Sequence, residues 1–518
     1  MNVAALSPEW LDQQFLTKVF QTLPERWEAP ISERYVTQYK RQGRKAANLA
    51  MLDVVDALGG NWGVASSEDG LWAFADARVK ECQWLYDNYS PQAYGDLYAL
   101  GRVDNVALRY GIQPPAGRYV TTKGRRERFL CTSWWRRQAR RVVARQVEGA
   151  AITVGLVHRR AGLYSSDDTV HRRRGQRARN RALLESLTAV NELGQAYTLQ
   201  DLSDLGVSNP KIRRMELMTR IAGFDQVALE QGHAAEFYTI TAPSKYHARD
   251  SQSGRENPTY QGFTPKETQE YLSKNWQRMR AKLHRDGLTV YGFRVAEPHH
   301  DGTPHWHMVL FMKPEHVDQV RAILSSYALA EDGDEPGAAK HRFTAKAIDR
   351  SKGNAAGYLA KYIAKNIDGY GVGEDWEAAE GSDAATDSAL RVDAWAATWG
   401  IRQFQQIGGA SVGVWRELRR LDSETLEPGL LADLVAAAGA GDWRMYNNLN
   451  GGIFARRAER PAYTWRVSAL DIETGEINLN KYGEIAADTV RGVFCGEAVL
   501  TRIHEWVFES RGATLPPW

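Results

Sequence analysis

Two histidines separated by one residue, His305 and His307, lie in a run of apolar residues with strand character, from Pro304 to Met312. Side chains alternate across a strand, so both imidazoles point to the same side. Two imidazoles in that arrangement can hold one metal ion between them. The spacing therefore predicts a metal site on the strand.

A second strand is predicted just upstream, at residues 291–297, and Asp301–Gly302 supply a turn between the two strands. A hairpin with this turn brings Glu297 beside the two histidines as a third, anionic ligand. His299 and His300 compete with Glu297 for that third position.

About fifty residues later, Tyr358 and Tyr362 occur four residues apart in a segment with helical character. Residues with this spacing share one face of a helix. Lys361 and Lys365 flank the two phenols, which suits a phosphate ligand. A metal-bearing strand followed by a helix with two phenols predicts a tyrosine nuclease that acts on a phosphodiester, with Lys361 as a further catalytic candidate and Lys365 as a DNA-binding one.

These motifs carry a resemblance to a known family. The chain resembles the bacteriophage replication gene A proteins, which are rolling-circle replication initiators of the His-hydrophobic-His endonuclease superfamily. The likeness is strong over residues 230–420 and weaker in the arginine-rich N-terminal half. The matching segments, in chain order, are residues 237–242, Glu297 with 305–307, residues 358–362, 399–408 and 414–420.

The resemblance implies an enzyme that nicks one DNA strand at an origin. One tyrosine forms a 5′-phosphotyrosine and frees a 3′ hydroxyl, which host polymerase extends with the help of a host helicase. The second tyrosine cuts the regenerated origin, and the strand is rejoined. Glu297, His305 and His307 are the implied ligands of a divalent metal, for which the inferred phosphate substrate favours Mg²⁺ or Mn²⁺. The order of action of the two tyrosines stays open.

Three alternatives remain. Two histidines and a carboxylate also form the facial triad of non-haem iron oxygenases, but that class gives the tyrosine pair no role. A DNA-binding protein with a decayed site is disfavoured by the intact histidines and tyrosines. A plasmid or conjugative relaxase shares the chemistry, although its tyrosine commonly precedes the metal motif, whereas here the tyrosines follow it.

Charge is unevenly distributed along the chain. The net charge is only +3, yet residues 118–181 are crowded with arginine and residues 373–394 are acidic. Arginine clusters can bind the phosphates of a nucleic acid, and the neighbouring Trp134 and Trp135 can stack on unpaired bases. The predicted DNA contacts are Arg136, Arg137, Arg140, Arg141, Arg172, Arg173 and Arg174.

The length and composition of the chain limit the classes of protein to which it can belong. At 518 residues the chain should form two to four domains, and its 43% hydrophobic and 25% charged residues are ordinary for a soluble globular protein. No stretch approaches the roughly 18–20 apolar residues of a membrane span, and the N-terminus lacks a secretory signal pattern. The three cysteines are widely spaced, which favours a reducing compartment, the cytoplasm of a bacterial host cell.

The predicted fold class is multidomain α+β. Residues 1–225 should form a mostly helical, arginine-rich, DNA-binding region, with helices near 132–148 and 174–193. Residues 226–422 should form the endonuclease domain, and residues 423–518 a small α+β region with a helix at 424–438 and a hairpin at 463–475.

Within the endonuclease domain the predicted element order is β-α-β-β-α-β. This is a split βαβ arrangement, like that of ferredoxin and RRM domains, with an antiparallel sheet, helices on one face and the other face open for a ligand. Thr264 and Glu267 form a capping box that begins the first of these helices. A fifth strand is predicted at 401–407, after the acidic linker near 373–394.

Overall fold

The structure is a computed structural model that describes residues 8–58, 67–90, 95–117, 119–250, 253–351, 353–367, 382–469 and 477–510. It is a mixed α+β protein with several antiparallel sheets. The helices in the described residues are α1 (Pro8–Phe20), α2 (Glu28–Leu58), α3 (Glu68–Tyr89), α4 (Gly95–Arg109), α5 (Thr122–Phe129), α6 (Thr132–Thr153), α7 (Asp167–Ser186), α8 (Leu199–Asp204), α9 (Pro210–Glu230), α10 (Pro265–Arg285), α11 (Val317–Ala328), α12 (Ala338–His341), α13 (Ala355–Ile367), α14 (Ser382–Trp399), α15 (Val412–Leu418), α16 (Leu430–Gly439) and α17 (Trp443–Leu449).

The strands of the described residues fall into three sheets. They are β1 (Leu187–Asn191), β2 (Ala196–Thr198), β3 (Ala234–Thr241), β4 (Tyr291–Pro298), β5 (Pro304–Met312), β6 (Phe343–Ala347), β7 (Phe404–Ile407), β8 (Ala462–Val467), β9 (Thr489–Cys495), β10 (Glu497–Leu500) and β11 (Trp506–Ser510). The largest sheet has five strands in the order β6-β3-β5-β4-β7, and each neighbouring pair is antiparallel.

The strand β5 lies at the centre of this five-stranded sheet. It pairs with β4 on one side, where Glu297 faces His305, and with β3 on the other, where Thr239 faces His307. The predicted strands at 291–297 and 401–407 are confirmed as β4 and β7. The predicted capping box is also confirmed, because Thr264 and Glu267 exchange hydrogen bonds at the start of α10.

One face of the sheet packs against α10 and α11. Trp306, between the two histidines, points to this face and is 1% exposed. Its indole nitrogen donates a hydrogen bond of 2.9 Å to Gln269 on α10, and the guanidinium of Arg294 lies 4.0 Å from its ring centroid. The alternation of β5 thus sends apolar residues into this core while the imidazoles point the other way.

The opposite face is covered over much of its area, which corrects the expectation of an open face. Helices α9 and α13 pack there, and their residues Phe224 and Leu359 share a buried cluster with Val295 and Val309 of the sheet. The covering helices lie over the Val309 half of β5. The end of this face that carries His305 borders a cleft instead.

The helical character predicted for the N-terminal residues is confirmed from α1 to α9, with one correction. The helix predicted at 174–193 ends at Ser186, and β1 follows. Strand β1 pairs with β11, more than three hundred residues away in the sequence. Thr188 and Val190 are β-branched, and β1 pairs with the neighbouring β2 as well as with β11, so strand pairing on both sides holds these residues in an extended conformation.

Two predictions for the C-terminal region are corrected as well. The helix predicted at 424–438 begins at Leu430, as α16. The strand at 463–467 is present as β8, but its partner is β9 rather than the residues up to 475, of which 470–476 lie outside the described residues. The β8–β9 pairing spans about twenty residues, which no local turn signal reveals. The domain boundaries stay predictions.

None of the helices in the described part of the chain combines the length and the apolar character that crossing a membrane requires.

Candidate active site

The predicted metal ligands come together on the β4–β5 hairpin. The Nε2 atoms of His305 and His307 lie 2.9 Å apart, and Oε2 of Glu297 lies 3.9 Å from Nε2 of His307. All three side chains are buried. Because His305 and Glu297 are directly opposed in the strand register, the backbone ladder itself brings the carboxylate beside the imidazoles.

These three residues fit a divalent ion. One ligand atom from each lies within 4.8 Å of the others. On an octahedral ion, two neighbouring ligand atoms that each lie about 2.0–2.1 Å from the ion are about 3 Å apart. The 2.9 Å between Nε2 of His305 and Nε2 of His307 agrees with this separation. A buried carboxylate beside two imidazoles is also a donor set that a cation neutralises.

Neighbouring side chains fix the orientation of these donors. A hydrogen bond of 3.0 Å joins Oγ1 of Thr239 to Nδ1 of His307, which directs Nε2 of that ring toward Glu297. Asn366 of α13 donates a hydrogen bond to Oε1 of Glu297 and accepts one of 3.1 Å from Gln403. Contacts of this kind hold metal-binding histidines and carboxylates in place.

The two tyrosines of α13 are not equivalent. The ring of Tyr362 lies 4.1 Å from the ring of His307, and it stacks on Phe237 at 5.6 Å. The ring of Tyr358 lies 6.3 Å from Phe237, with Nζ of Lys346 5.9 Å from its centroid. Tyr362 is therefore in contact with a candidate metal ligand, whereas Tyr358 lies one helical turn away, towards β6.

Two further candidates belong to the tyrosine helix. Lys361 and Lys365 are part of α13, but their side chains lie outside the described residues. Their catalytic and DNA-binding roles stay predictions.

The donor atoms of the competing third ligands, His299 and His300, do not belong to the group formed by Glu297, His305 and His307. The ring of His300 lies 6.0 Å from Tyr164, towards the N-terminal region. The ring of His299 stacks at 4.0 Å on the ring of His305, and burial lowers the pKa of His299 to about 3. Of the three alternatives, Glu297 is the one whose donor atom joins the group.

A cleft of about 580 Å³ opens next to His305. Its walls come from β3, the loop after β3, the β4–β5 turn and the segment that leads into α12. The polar residues among its lining are Thr239, Thr241, Ser244, His247, Arg249, Asp250, Glu256, Asn257, His299, His305, Glu335, His341 and Arg342. A groove of this size beside the imidazoles can hold part of a bound substrate.

The predicted DNA-binding arginines of α6 are mostly engaged in contacts within the protein. Arg136 lies over the ring of Trp72 at 4.0 Å, and Arg140 pairs with Glu68. Arg137 is exposed and donates a hydrogen bond of 2.8 Å to the hydroxyl of Tyr482. Arg141 is exposed and lies 3.5 Å from the side-chain oxygen of Gln138.

The arginines of α7 pair with acidic residues, two of them from the acidic stretch. Arg172 contacts Asp168 at 3.1 Å, one turn earlier on the same helix. Arg173 forms two hydrogen bonds, of 2.7 and 3.1 Å, with Asp393 of α14, and Arg174 lies 3.0 Å from Asp387 of the same helix. The basic and acidic stretches of the sequence therefore meet in the fold.

The expectation that Trp134 and Trp135 stack on unpaired bases is wrong. Both are buried in a core formed by α3, α4 and α6, and they are 5% and 0% exposed. The indole nitrogen of Trp135 donates to the backbone oxygen of Phe129. An arginine-rich helix still needs an apolar face to pack, and these two indoles belong to that face.

Several residues at the site were not identified from the sequence. Thr239 and Asn366 contact candidate ligands, and His247 lines the cleft. Asn366 follows Tyr362 by four residues, so the helical spacing was a usable signal. His247 carried no such signal, because only the packing of its loop against the β4–β5 turn brings it to the site.

A family model described as bacteriophage replication gene A protein matches residues 97–370. The chain is 42% identical over 424 residues to the replication gene A protein of Escherichia phage 186, covering 78% of this chain and 60% of the relative. It is 42% identical over 398 residues to the probable replication protein P12 of Pseudoalteromonas phage PM2, covering 76% and 60%.

A third relative is the probable replication endonuclease from a prophage-like region of Salmonella paratyphi A, 33% identical over 426 residues and covering 77% of this chain. The chain spans only 53–60% of the length of these three relatives. No solved structure matches significantly.

Proposed function

Because the chain belongs to the family of bacteriophage replication gene A proteins, we propose that it is a replication initiator endonuclease that nicks one DNA strand through a 5′-phosphotyrosine intermediate. Its substrate is origin DNA that is single-stranded or locally melted. The nick frees a 3′ hydroxyl for rolling-circle replication by the host polymerase and helicase in the bacterial cytoplasm. The observation that carries the proposal is the contact between Tyr362 and His307 at 4.1 Å.

The scaffold of this activity is the five-stranded sheet. We propose that β3, α10, β4, β5, α11 and β6 form a split βαβ nuclease module of the ferredoxin type. The strand order β6-β3-β5-β4 supports this, since each crossover helix joins strands that have another strand between them. The neighbouring strands β4 and β5 then carry the donors, with Glu297 directly opposite His305.

The chain's own residues position the nucleophile and the donors. Phe237 stacks on both Tyr362 and His307 and so keeps the phenol beside the imidazole. Asn366 links Glu297 to the backbone oxygen of Tyr362, so the carboxylate and the tyrosine helix are held together. Mg²⁺ or Mn²⁺ bound by Glu297, His305 and His307 supplies charge stabilisation at the scissile phosphate.

The reaction conserves the energy of the phosphodiester. The phenol oxygen of one tyrosine bonds to phosphorus while the bond to the 3′ oxygen breaks, and no nucleotide cofactor is needed for rejoining. A second phenol one helical turn away allows a second transfer while the first is occupied. Tyr358 and Tyr362 have this relation on α13.

Incubation with single-stranded DNA that carries the chain's own gene, with and without Mn²⁺, tests the proposal. We expect a covalent protein–DNA adduct only with the metal, and mass spectrometry should find DNA on a peptide that contains Tyr358 or Tyr362. The double variant Tyr358→Phe with Tyr362→Phe is the matched control and should form no adduct. An adduct on any other peptide, or none with the wild-type protein, contradicts the proposal.

A further inference from the structure

A continuous series of ring contacts leads from the tyrosine helix into the cleft. The ring of Tyr362 lies 4.1 Å from His307, and the ring of His307 lies 4.7 Å from His305. The ring of His305 lies 4.0 Å from His299, and His299 lies 5.0 Å from His247. Tyr362 and His247 therefore stand at opposite ends of the series, with the candidate metal ligands between them.

His247 is held at its end by a buried carboxylate. Oδ2 of Asp301 lies 3.4 Å from Nδ1 of His247, and Asp301 is 2% exposed. Burial alone would raise the pKa of the Asp301 carboxyl, but the charge and hydrogen bond of His247 hold this pKa below its usual range. The backbone nitrogen of Thr303 donates to Oδ1 of Asp301 at 3.0 Å. An ionised carboxylate in this position orients an imidazole and compensates positive charge on it.

The other side of the His247 ring borders the cleft. The side chain of His247 is 17% exposed, and the cleft it lines also includes His305. The titratable groups that surround this space are Asp301, His299 and His305 from the hairpin, Arg249, Asp250 and Glu256 from the loop of His247, and Glu335, His341 and Arg342 from the α12 segment. The cleft therefore offers space for a bound strand beside His305.

We propose that His247, oriented by Asp301, donates the proton to the 3′ oxygen that leaves when the tyrosine attacks. This inference rests on the proposed nicking function. In-line displacement places the attacking and leaving oxygens on opposite sides of the phosphorus. Tyr362 contacts one end of the ligand group, so the leaving oxygen emerges towards the other end, where His247 lines the cleft.

The step balances without any further reactant. The bond between the phenol oxygen and phosphorus forms, and the bond between phosphorus and the 3′ oxygen breaks. The electron pair on the 3′ oxygen takes the proton of the His247 imidazolium. The phenol proton passes to water, and His247 is left as the neutral imidazole. In rejoining, the 3′ hydroxyl attacks the phosphotyrosine and gives its proton to this neutral imidazole, while the departing phenol oxygen takes a proton from water.

The test replaces the leaving oxygen. After the nick has been mapped on single-stranded DNA, two oligonucleotides that span it are compared in Mn²⁺: one natural, and one with sulfur in place of the scissile 3′ oxygen. A thiolate leaves without protonation. His247→Gln should therefore cut the natural strand about 10²–10⁴-fold more slowly than the wild-type protein and cut the sulfur-containing strand at nearly the wild-type rate. Asp301→Asn should show the same pattern to a smaller degree.

The matched control is His284→Gln, the same change at an exposed position of α10, which should leave both rates unchanged. Equal slowing of His247→Gln on both oligonucleotides would mean a structural role and overturn the inference. Full activity of that variant on the natural strand overturns it as well, while the proposed function stands. A wild-type protein that forms an adduct with neither strand overturns the proposed function and this inference together.

Discussion

The group formed by Glu297, His305 and His307 and the arginine-rich helices α6 and α7 differ in how their charges are compensated. The donors of the first group lie within 4.8 Å of one another, among the described residues, and their nitrogen and oxygen atoms converge on a common point. In the second region several arginines pair individually with carboxylates from other elements, as Arg173 does with Asp393.

This difference separates a site from a charged surface. A buried carboxylate beside two imidazoles is a group that a cation would stabilise. Arginines that already have carboxylate partners are stable without a ligand, and a nucleic acid must compete with those partners for them. The first group therefore has the arrangement of a candidate metal site, and part of the second serves to join elements of the fold.

The largest expected effect is at the metal ligands. His305→Ala or His307→Ala should lower nicking by on the order of 10²–10³-fold or more, because the scissile phosphate loses charge stabilisation. Binding to single-stranded DNA, measured by fluorescence anisotropy, should change little if the arginine surface provides most of the affinity. Normal nicking by either variant in the presence of excess chelator would mean that these histidines do not hold a metal ion needed for cleavage. The two regions would then not differ in the way described.

The tyrosines provide the next effect. Tyr362→Phe should reduce nicking by on the order of 10–100-fold more than Tyr358→Phe, since only Tyr362 contacts His307 and displacement of a nucleophile is costly. Each single variant should still form some adduct, and neither should join two successive cleavages. Gel assays of nicking and of strand transfer measure both quantities. Equal nicking by the two variants would show that both phenols reach the scissile phosphate equally well.

The residues that orient the ligands should have a smaller effect. Thr239→Val removes the hydrogen bond to His307, and we expect a loss of about 10–100-fold in Mn²⁺ affinity. Calorimetric titration of Mn²⁺ measures this directly. Thr344→Val, at an exposed position of the neighbouring strand β6, is the control and should bind Mn²⁺ as the wild-type protein does. Unchanged affinity in Thr239→Val would mean that the strand backbone alone sets the geometry.

The pair between Arg128 of α5 and Glu484, which precedes β9, tests the structural role of an arginine–carboxylate contact. Arg128 holds this carboxylate with contacts of 2.7 and 2.8 Å, and this hydrogen bonding lowers the pKa of Glu484 to about 2. The unfolded chain has a pKa of about 4.3 for glutamate. The stabilisation is therefore fully present above that pH and is lost as the pH falls towards 2.

Glu484→Gln should lower the free energy of unfolding by on the order of 1–3 kcal/mol at neutral pH, and its difference from the wild-type protein should shrink below pH 4. Urea denaturation at several pH values measures both. Glu185→Gln, which breaks the exposed pair with Arg181, should cost less than about 1 kcal/mol. A similar small cost at both positions would mean that Arg128 is not a structural link.

The smallest effect concerns the salt dependence of DNA binding. Arg137→Gln with Arg141→Gln should reduce the slope of log affinity against log salt by up to about 0.7 per lost phosphate contact. Arg173→Gln with Arg174→Gln should reduce it less, because both residues have carboxylate partners in α14. A larger change in the second pair would indicate that DNA displaces the acidic helix from α7.

Much of the site was predictable because its parts are close in the sequence. The period of two in a strand sets the common direction of His305 and His307, and the period of helix α13 sets that of Tyr358 and Tyr362. The turn at Asp301 brings Glu297 opposite His305 through ordinary strand pairing. Distant partners gave no such signal: Thr239 reaches His307 only through the β3–β5 pairing, and His247 reaches the cleft only through a loop.

The sequence by itself determined the candidate donors, the candidate nucleophiles and the elements that carry them, because local periodicity governs the direction of side chains. The tertiary structure alone decided which tyrosine lies against His307, which face of the sheet is covered, and which arginines are paired. It also moved Trp134 and Trp135 into a core and paired Leu187–Asn191 with β11 as well as with the neighbouring strand β2. These outcomes depend on contacts between residues tens to hundreds of positions apart, and the energy of such contacts is not contained in any local pattern.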